Sequence, residues 1–157
     1  MNAELPKTRS IDLTRTLDAP RALVWKVWTD PLHIQRWWGP QGFTNPICEW
    51  DARKGGQILI HMKGMGMEHP MTGEFLEVTP QDRLVFTAIA RDTDNSPLLE
   101  AHTVVTFTEA GGKTIVNVKQ TGNAIAAIAP QMLAGMEMGW SQSLDKMVDE
   151  VATAKKG

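Results

Sequence analysis

Five side chains in the middle of this chain could move protons: His61, His69, His102, Glu74 and Glu100. Histidine changes charge near neutral pH, so an inward-facing one can serve as general acid or base. His61 and His69 also bound the stretch His61-Met62-Lys63-Gly64-Met65-Gly66-Met67-Glu68-His69-Pro70-Met71. Its thioethers and imidazoles are the ligand types that a soft ion such as Cu(I) accepts. The motif is not repeated and reads more simply as a methionine-containing loop at the mouth of a pocket, so no metal is expected. Cys48 is the only cysteine, which excludes an intrachain disulfide and the usual thiolate zinc sites. It lies on an expected strand beside Trp50, with no helix end to activate it, and reads as a buried, inert thiol.

The stronger chemical signal is apolar. Four of the six tryptophans fall between residues 25 and 38, and the chain has nine methionines and no tyrosine. Tryptophan is rarely left in water, so this segment is either dense core or one wall of an apolar cavity. Methionine is flexible and polarizable, which suits gap filling and surfaces that accept irregular shapes. Trp28, Leu144, Met147 and Val148 are assigned to the core because apolar helix stripes usually are. Trp38, Met136 and Trp140 stand beside Gly39, Gly135 and Gly139, which leave room next to them.

These groups must be positioned by the elements that the periodicity predicts. Residues 11–17 alternate apolar and polar, as a half-buried strand does. Pro20 then opens a helix whose apolar face is Leu23, Val24, Val27 and Trp28, and Asp30-Pro31 breaks it. A second short helix runs to Trp38 and stops at Gly39-Pro40-Gln41-Gly42. Strands follow over residues 43–51, 57–63, 71–78, 83–91, 99–108 and 113–120, with a loop at 64–68 and a hairpin turn at 109–112. On the strand at 99–108, residues 100, 102 and 104 share one face and 99, 101, 103, 105 and 107 the other, more apolar one. His102 is therefore expected to face water. His61 shares a strand face with Gln57, Leu59 and Lys63. From Pro130, apolar residues at steps of about four predict one long amphipathic helix through Val151, weakened at Gly135 and Gly139.

Consecutive strands need hairpin links, so the sheet is antiparallel, and it buries an apolar face by curling around the long helix. The class is α+β: a curved antiparallel sheet of six to seven strands wrapped around a C-terminal helix, as a single domain over residues 1–157 with its core at about 10–152. The formal net charge is −2 and basic residues do not cluster, so no nucleic-acid partner is expected. Residues 1–10 are polar, unlike a secretory leader, and a cytoplasmic location is expected. No apolar run approaches the ~20 residues of a membrane span. There is no phosphate-binding loop, dinucleotide fingerprint or nucleophile elbow, and no cofactor is expected.

The same order of elements resembles that of the START-like, birch-pollen-allergen-like superfamily, often called SRPBCC. The likeness is to its bacterial branch, which is similar to the C-terminal domain of activators of the heat-shock-protein-90 ATPase. It is carried by Asp18-Ala19-Pro20 with Val24-Trp25, Trp28-Thr29-Asp30-Pro31, Arg36-Trp37-Trp38-Gly39-Pro40, Asp51-Ala52-Arg53 with Gly55-Gly56, His69-Pro70, Gly73-Glu74-Phe75, Glu77-Val78-Thr79-Pro80, Arg83-Leu84-Val85-Phe86-Thr87 and Gly139-Trp140 with Ser143-Leu144. The resemblance implies a helix-grip fold with a cavity between sheet and long helix. Its members include lipid and hormone carriers, aromatic polyketide cyclases and cochaperones.

The expected function is binding of a small apolar ligand, aromatic or acyl, in that cavity. Trp37, Trp38, Phe86, Met136 and Trp140 would give apolar contact, Met65 and Met67 would sit at the mouth, and one or two of His61, His69 and Glu74 would orient the ligand. A cyclase, dehydratase or hydrolase working through an inward His or Glu is the alternative; whether the chain is an enzyme stays open at this level. A chaperone-associated module is a third reading. ATPase activation is not expected, because the sequence shows no counterpart of the extra N-terminal domain of the eukaryotic activators. Edge strands of an open sheet invite pairing, which is compatible with a homodimer.

Overall fold

The computed structural model describes residues 7–157. The elements run β1 (Thr8–Leu17), α1 (Arg21–Thr29), α2 (Pro31–Trp37), β2 (Thr44–Trp50), β3 (Gln57–Gly64), β4 (Met67–Thr79), β5 (Arg83–Arg91), β6 (Pro97–Ala110), β7 (Lys113–Ala124), α3 (Ala129–Ala134) and α4 (Met136–Lys156). All seven strands form one antiparallel sheet in the order β1-β7-β6-β5-β4-β3-β2. It curls around α4, with α1 and α2 closing one end.

Local chemistry explains the joints. The Asp30 backbone N–H donates to Lys26 O at 2.9 Å and ends α1, while its carboxylate accepts from the Leu32 N–H at 2.9 Å and starts α2. One residue thus terminates one helix and caps the next, with Pro31 preset for the first helical position. Gly111-Gly112 and Met65-Gly66 each form a two-residue turn with positive φ at both positions, the geometry whose twist matches paired strands. The second turn is tighter than the loop expected at 64–68, and it brings residues 67–70 into β4, with Pro70 opposite His61.

The expected single helix from Pro130 to Val151 is two helices meeting at Gly135. The cause lies in the sheet. A Cβ on Gly122 of β7 would come within 2.7 Å of Leu133 Cδ2 and 3.1 Å of Met136 Sδ, so the junction presses directly onto that glycine. Glycine at 135 tolerates the change in helix direction there.

Six tryptophans and three phenylalanines make one aromatic network through the core. Trp28 stands edge-on to Trp37 with ring centroids 4.7 Å apart, and Trp38 touches Trp37, Trp50, Phe86 and Trp140 at 5.2–6.2 Å. The Trp37 indole donates to Val27 O at 3.1 Å and the Trp50 indole to Trp28 O at 2.9 Å. Edge-to-face pairs of this kind add about 0.5–1.5 kcal/mol each beyond area burial.

Candidate functional site

The concave face of the sheet is mostly filled by large side chains, except at one place. Ala88 on β5 lies directly opposite Ala101 on β6, flanked on one side by the inward pair Phe86–Thr103 and on the other by Ala90–Leu99. The methyl groups of Ala88 and Ala101, with that of Ala90 beside them, thus form the floor. Above them Trp38, at the end of α2, meets Trp140 of α4 edge-on at 5.3 Å. The space between measures about 250 Å³. This is just under the ~300 Å³ at which common small-molecule pockets begin, and well above the ~150 Å³ of an apolar cavity that takes up benzene. It opens at the α3–α4 junction, where Met132 and Gly135 are exposed.

The wall carries no ionisable side chain among the described residues. Its thioethers come from Met62, Met71, Met132 and Met136, and its polar groups from Gln120, Ser143 and the Trp140 indole. Gln120 is 7% exposed. Its Oε1 accepts from Trp140 Nε1 at 2.9 Å, and its Nε2 donates to Thr103 Oγ1 at 2.8 Å. An indole N–H can only donate, which fixes the carboxamide orientation. Ser143 Oγ donates to Gly139 O at 3.0 Å.

One side of the cavity is formed by Gly39 and Pro40, which open the segment Gly39–Phe43 pinned to α4. The Gln41 N–H donates to Gln142 Oε1 at 3.0 Å, and Lys146 Nζ donates to Gly39 O and Pro40 O at 3.2 and 3.4 Å. Burial lowers the Lys146 ammonium below the ordinary lysine value. Gly139 faces this segment at van der Waals distance, since a Cβ there would sit 3.5 Å from Pro40 Cγ.

The residues singled out from sequence separate into three groups. Trp38, Phe86, Met136 and Trp140 converge on the cavity. His69 pairs directly with Met62, so strand parity places it on the concave face, one pair beyond Met71. The others lie elsewhere. Trp37 is fully buried against Trp28 in the core, because the chain leaves the helical conformation at Trp38 and turns only that ring toward the sheet. His61 and Glu74 take the opposite parity from Ile58, Ile60 and Phe75. They therefore stand on the outer face, His61 with its Nδ1 2.8 Å from Glu68 Oε2 and Glu74 exposed. Met65, at the hairpin tip, is 91% exposed and Met67 is 51% exposed, and neither touches the cavity. Glu100 and His102 face water, as their alternation predicts. Gln120, Ala88 and Ala101 were not singled out from sequence, Ser143 was not assigned to the cavity, and Met62 and Met71 entered only as part of the methionine-rich stretch 61–71. For Gln120 a signal exists: it is the polar residue on the apolar parity of Val116 and Val118.

Among the described residues, no three His, Cys, Asp or Glu side chains converge as a metal site, and no helix is long and apolar enough to cross a membrane. Cys48 is half-buried on β2, its thiol 3.6 Å from Pro31 O, and burial pushes it up to about 11. With the ordinary value at 9.0, the folded thiolate fraction at pH 8 is about a hundredfold below that of the unfolded chain. A more basic thiolate is also the stronger nucleophile, so reaction with an aromatic disulfide reagent at pH 8 should run about tenfold slower than in urea, and equal rates would contradict the burial.

With this geometry in view, the relatives can be placed. The profile of the Activator of Hsp90 ATPase homolog 1-like protein family matches residues 18–152. The chain belongs to that family. Similar solved structures include protein CV1439 from Chromobacterium violaceum, with 28% identity, a TM-score of 0.76, and coverage of 90% of this chain and 96% of that one. Protein NE0264 from Nitrosomonas europaea is 24% identical over the full length of both chains with a TM-score of 0.77. The AHSA1 protein from Silicibacter pomeroyi is 22% identical, with a TM-score of 0.76, covering 92% and 99%. The latter two likenesses concern the fold alone, and it is the helix-grip arrangement described above. No curated protein sequence matches the chain.

Proposed function

We propose that this member of the Activator of Hsp90 ATPase homolog 1-like family binds a small, mostly apolar molecule between its sheet and α4. The observation that carries the reading is the Ala88–Ala101 pair beneath Trp38 and Trp140, which leaves a ~250 Å³ apolar space in an otherwise filled core. An unfilled cavity costs stability, about 24 cal/mol per Å³ in core truncations, so a space of this size that a ligand fills has a physical rationale. Two fused rings match the volume, and a further ring can extend into the opening at the α3–α4 junction.

Catalysis by a cyclase or hydrolase would need an acid or base at the reacting atom. Among the described residues the wall supplies none, and His69 on the same sheet face is the nearest support for that reading. The chaperone role rests on the family's name. Binding is therefore the reading that the geometry favours.

The test is a titration with the neutral fluorophore N-phenyl-1-naphthylamine, excited by energy transfer from tryptophan. Saturable one-to-one binding in the micromolar range is expected, because Trp38 and Trp140 form the wall. Absence of saturable binding by this and by smaller naphthalenes would contradict the reading. The Lys146 strap also makes a kinetic prediction. Hydrogen bonds from a charged donor are worth about 1.5–3 kcal/mol, so Lys146→Met should speed probe release about tenfold in stopped-flow. An unchanged rate would mean that the Gly39–Phe43 segment does not gate the cavity.

A further inference from the structure

One polar group of the cavity wall, Gln120, keeps a hydrogen-bond donor to spare among the described residues, and it narrows the ligand's chemistry. A glutamine carboxamide has two N–H donors and one acceptor oxygen. Trp140 Nε1 uses the oxygen, and Thr103 Oγ1 takes one N–H. The second Nε2–H of Gln120 has no protein partner among the described residues, although the side chain is 93% buried and lines the cavity. A buried N–H without an acceptor is rarer and costlier than an under-used carbonyl lone pair. The cavity is therefore short of an acceptor rather than a donor. Among the described residues no cationic or anionic side chain lines it, and an ion taken there would lose its hydration without a counter-charge. The remaining wall combines aromatic rings with four thioethers, and sulfur packs favourably at ring edges.

We infer that the ligand is a neutral aromatic molecule bearing one hydrogen-bond acceptor, a carbonyl or ether oxygen, and that Gln120 is the specificity-determining residue that reads it. The inference rests on the cavity being a binding site. Trp140 and Thr103 hold the carboxamide from either side, so its free N–H is fixed in direction before the ligand arrives. Such preorganisation makes a single bond discriminate between ligands of the same shape.

Calorimetric titration with three compounds of one shape tests this: 2-acetylnaphthalene, 2-ethylnaphthalene and 2-naphthoate. The ketone should bind about tenfold more tightly than the hydrocarbon, and the carboxylate at least about a hundredfold more weakly than the ketone at pH 7. Gln120→Leu should abolish the ketone's advantage, bringing the ratio of ketone to hydrocarbon affinity from about ten to about one. Equal affinities of ketone and hydrocarbon for the unaltered protein would overturn the inference and leave the binding reading standing. Tightest binding of the carboxylate would overturn it as well. Failure of all three compounds to bind would overturn both. The comparison on the unaltered protein decides the matter should Gln120→Leu not fold.

Discussion

Ala88→Leu is expected to weaken binding of N-phenyl-1-naphthylamine at least about a hundredfold while leaving the protein as stable as before, or more so. The added isopropyl group points from the floor of the sheet toward Trp38 and Trp140, into the space that the Ala88–Ala101 pair leaves open. Ala88 is 6% exposed, so the new carbons are buried, and full burial of a leucine side chain is worth about 1.5–3 kcal/mol. Overpacking elsewhere in a filled core would instead cost about 1–3 kcal/mol. The sign of the stability change thus reports whether the space is real. Thermal denaturation and the fluorescence titration give the two readings on one sample. Retained affinity within threefold would mean that the ligand sits elsewhere, and a fall in stability of several kcal/mol would mean that the space is not open.

Trp37→Ala has the opposite signature. Its ring is fully buried, edge-on to Trp28 at 4.7 Å, and its N–H is the partner of Val27 O. Removing it leaves a large void and an orphaned carbonyl, and truncation of a buried tryptophan costs about 3–5 kcal/mol. For a chain of this length, 1 kcal/mol shifts Tm by about 2–4 °C, so a drop on the order of 10 °C is expected. Urea denaturation checks the free energy, and a loss below 1 kcal/mol would show that Trp37 is not in the core. Adjacent tryptophans thus differ in kind: Trp37 holds the aromatic core together, and Trp38 carries that core to the wall of the cavity.

That distinction marks the limit of what the sequence shows. Alternation placed Glu100 and His102 in water, Gly111-Gly112 announced its hairpin, and Asp30-Pro31 announced the break between two helices, because each is a local matter. The division of the long helix at Gly135 depends on Gly122 a strand away, which no helical period contains. The assignment of Trp37 and Trp38 turns on a single residue at which the backbone leaves the helix. For His61 and Glu74 the parity with Ile58, Ile60 and Phe75 was present in the sequence and pointed outward. His69 required the extension of β4 back to Met67, past a proline. The floor of the cavity was least legible. Ala88 and Ala101 are unremarkable small residues until the register of β5 against β6 sets them face to face, and register is a property of two strands together.

The central claim is that a ligand enters between the sheet and α4. The most direct measurement follows the nine methionine methyl signals by 1H–13C NMR while 2-acetylnaphthalene is added. Met62, Met71, Met132 and Met136 line the cavity, whereas Met65 and Met138 are 91% and 69% exposed and lie outside it. Ring-current shifts at the first four, saturating together, with Met65 and Met138 unmoved, are the predicted result. Shifts confined to Met65, Met67 and Met138, or none that saturate, would contradict the claim.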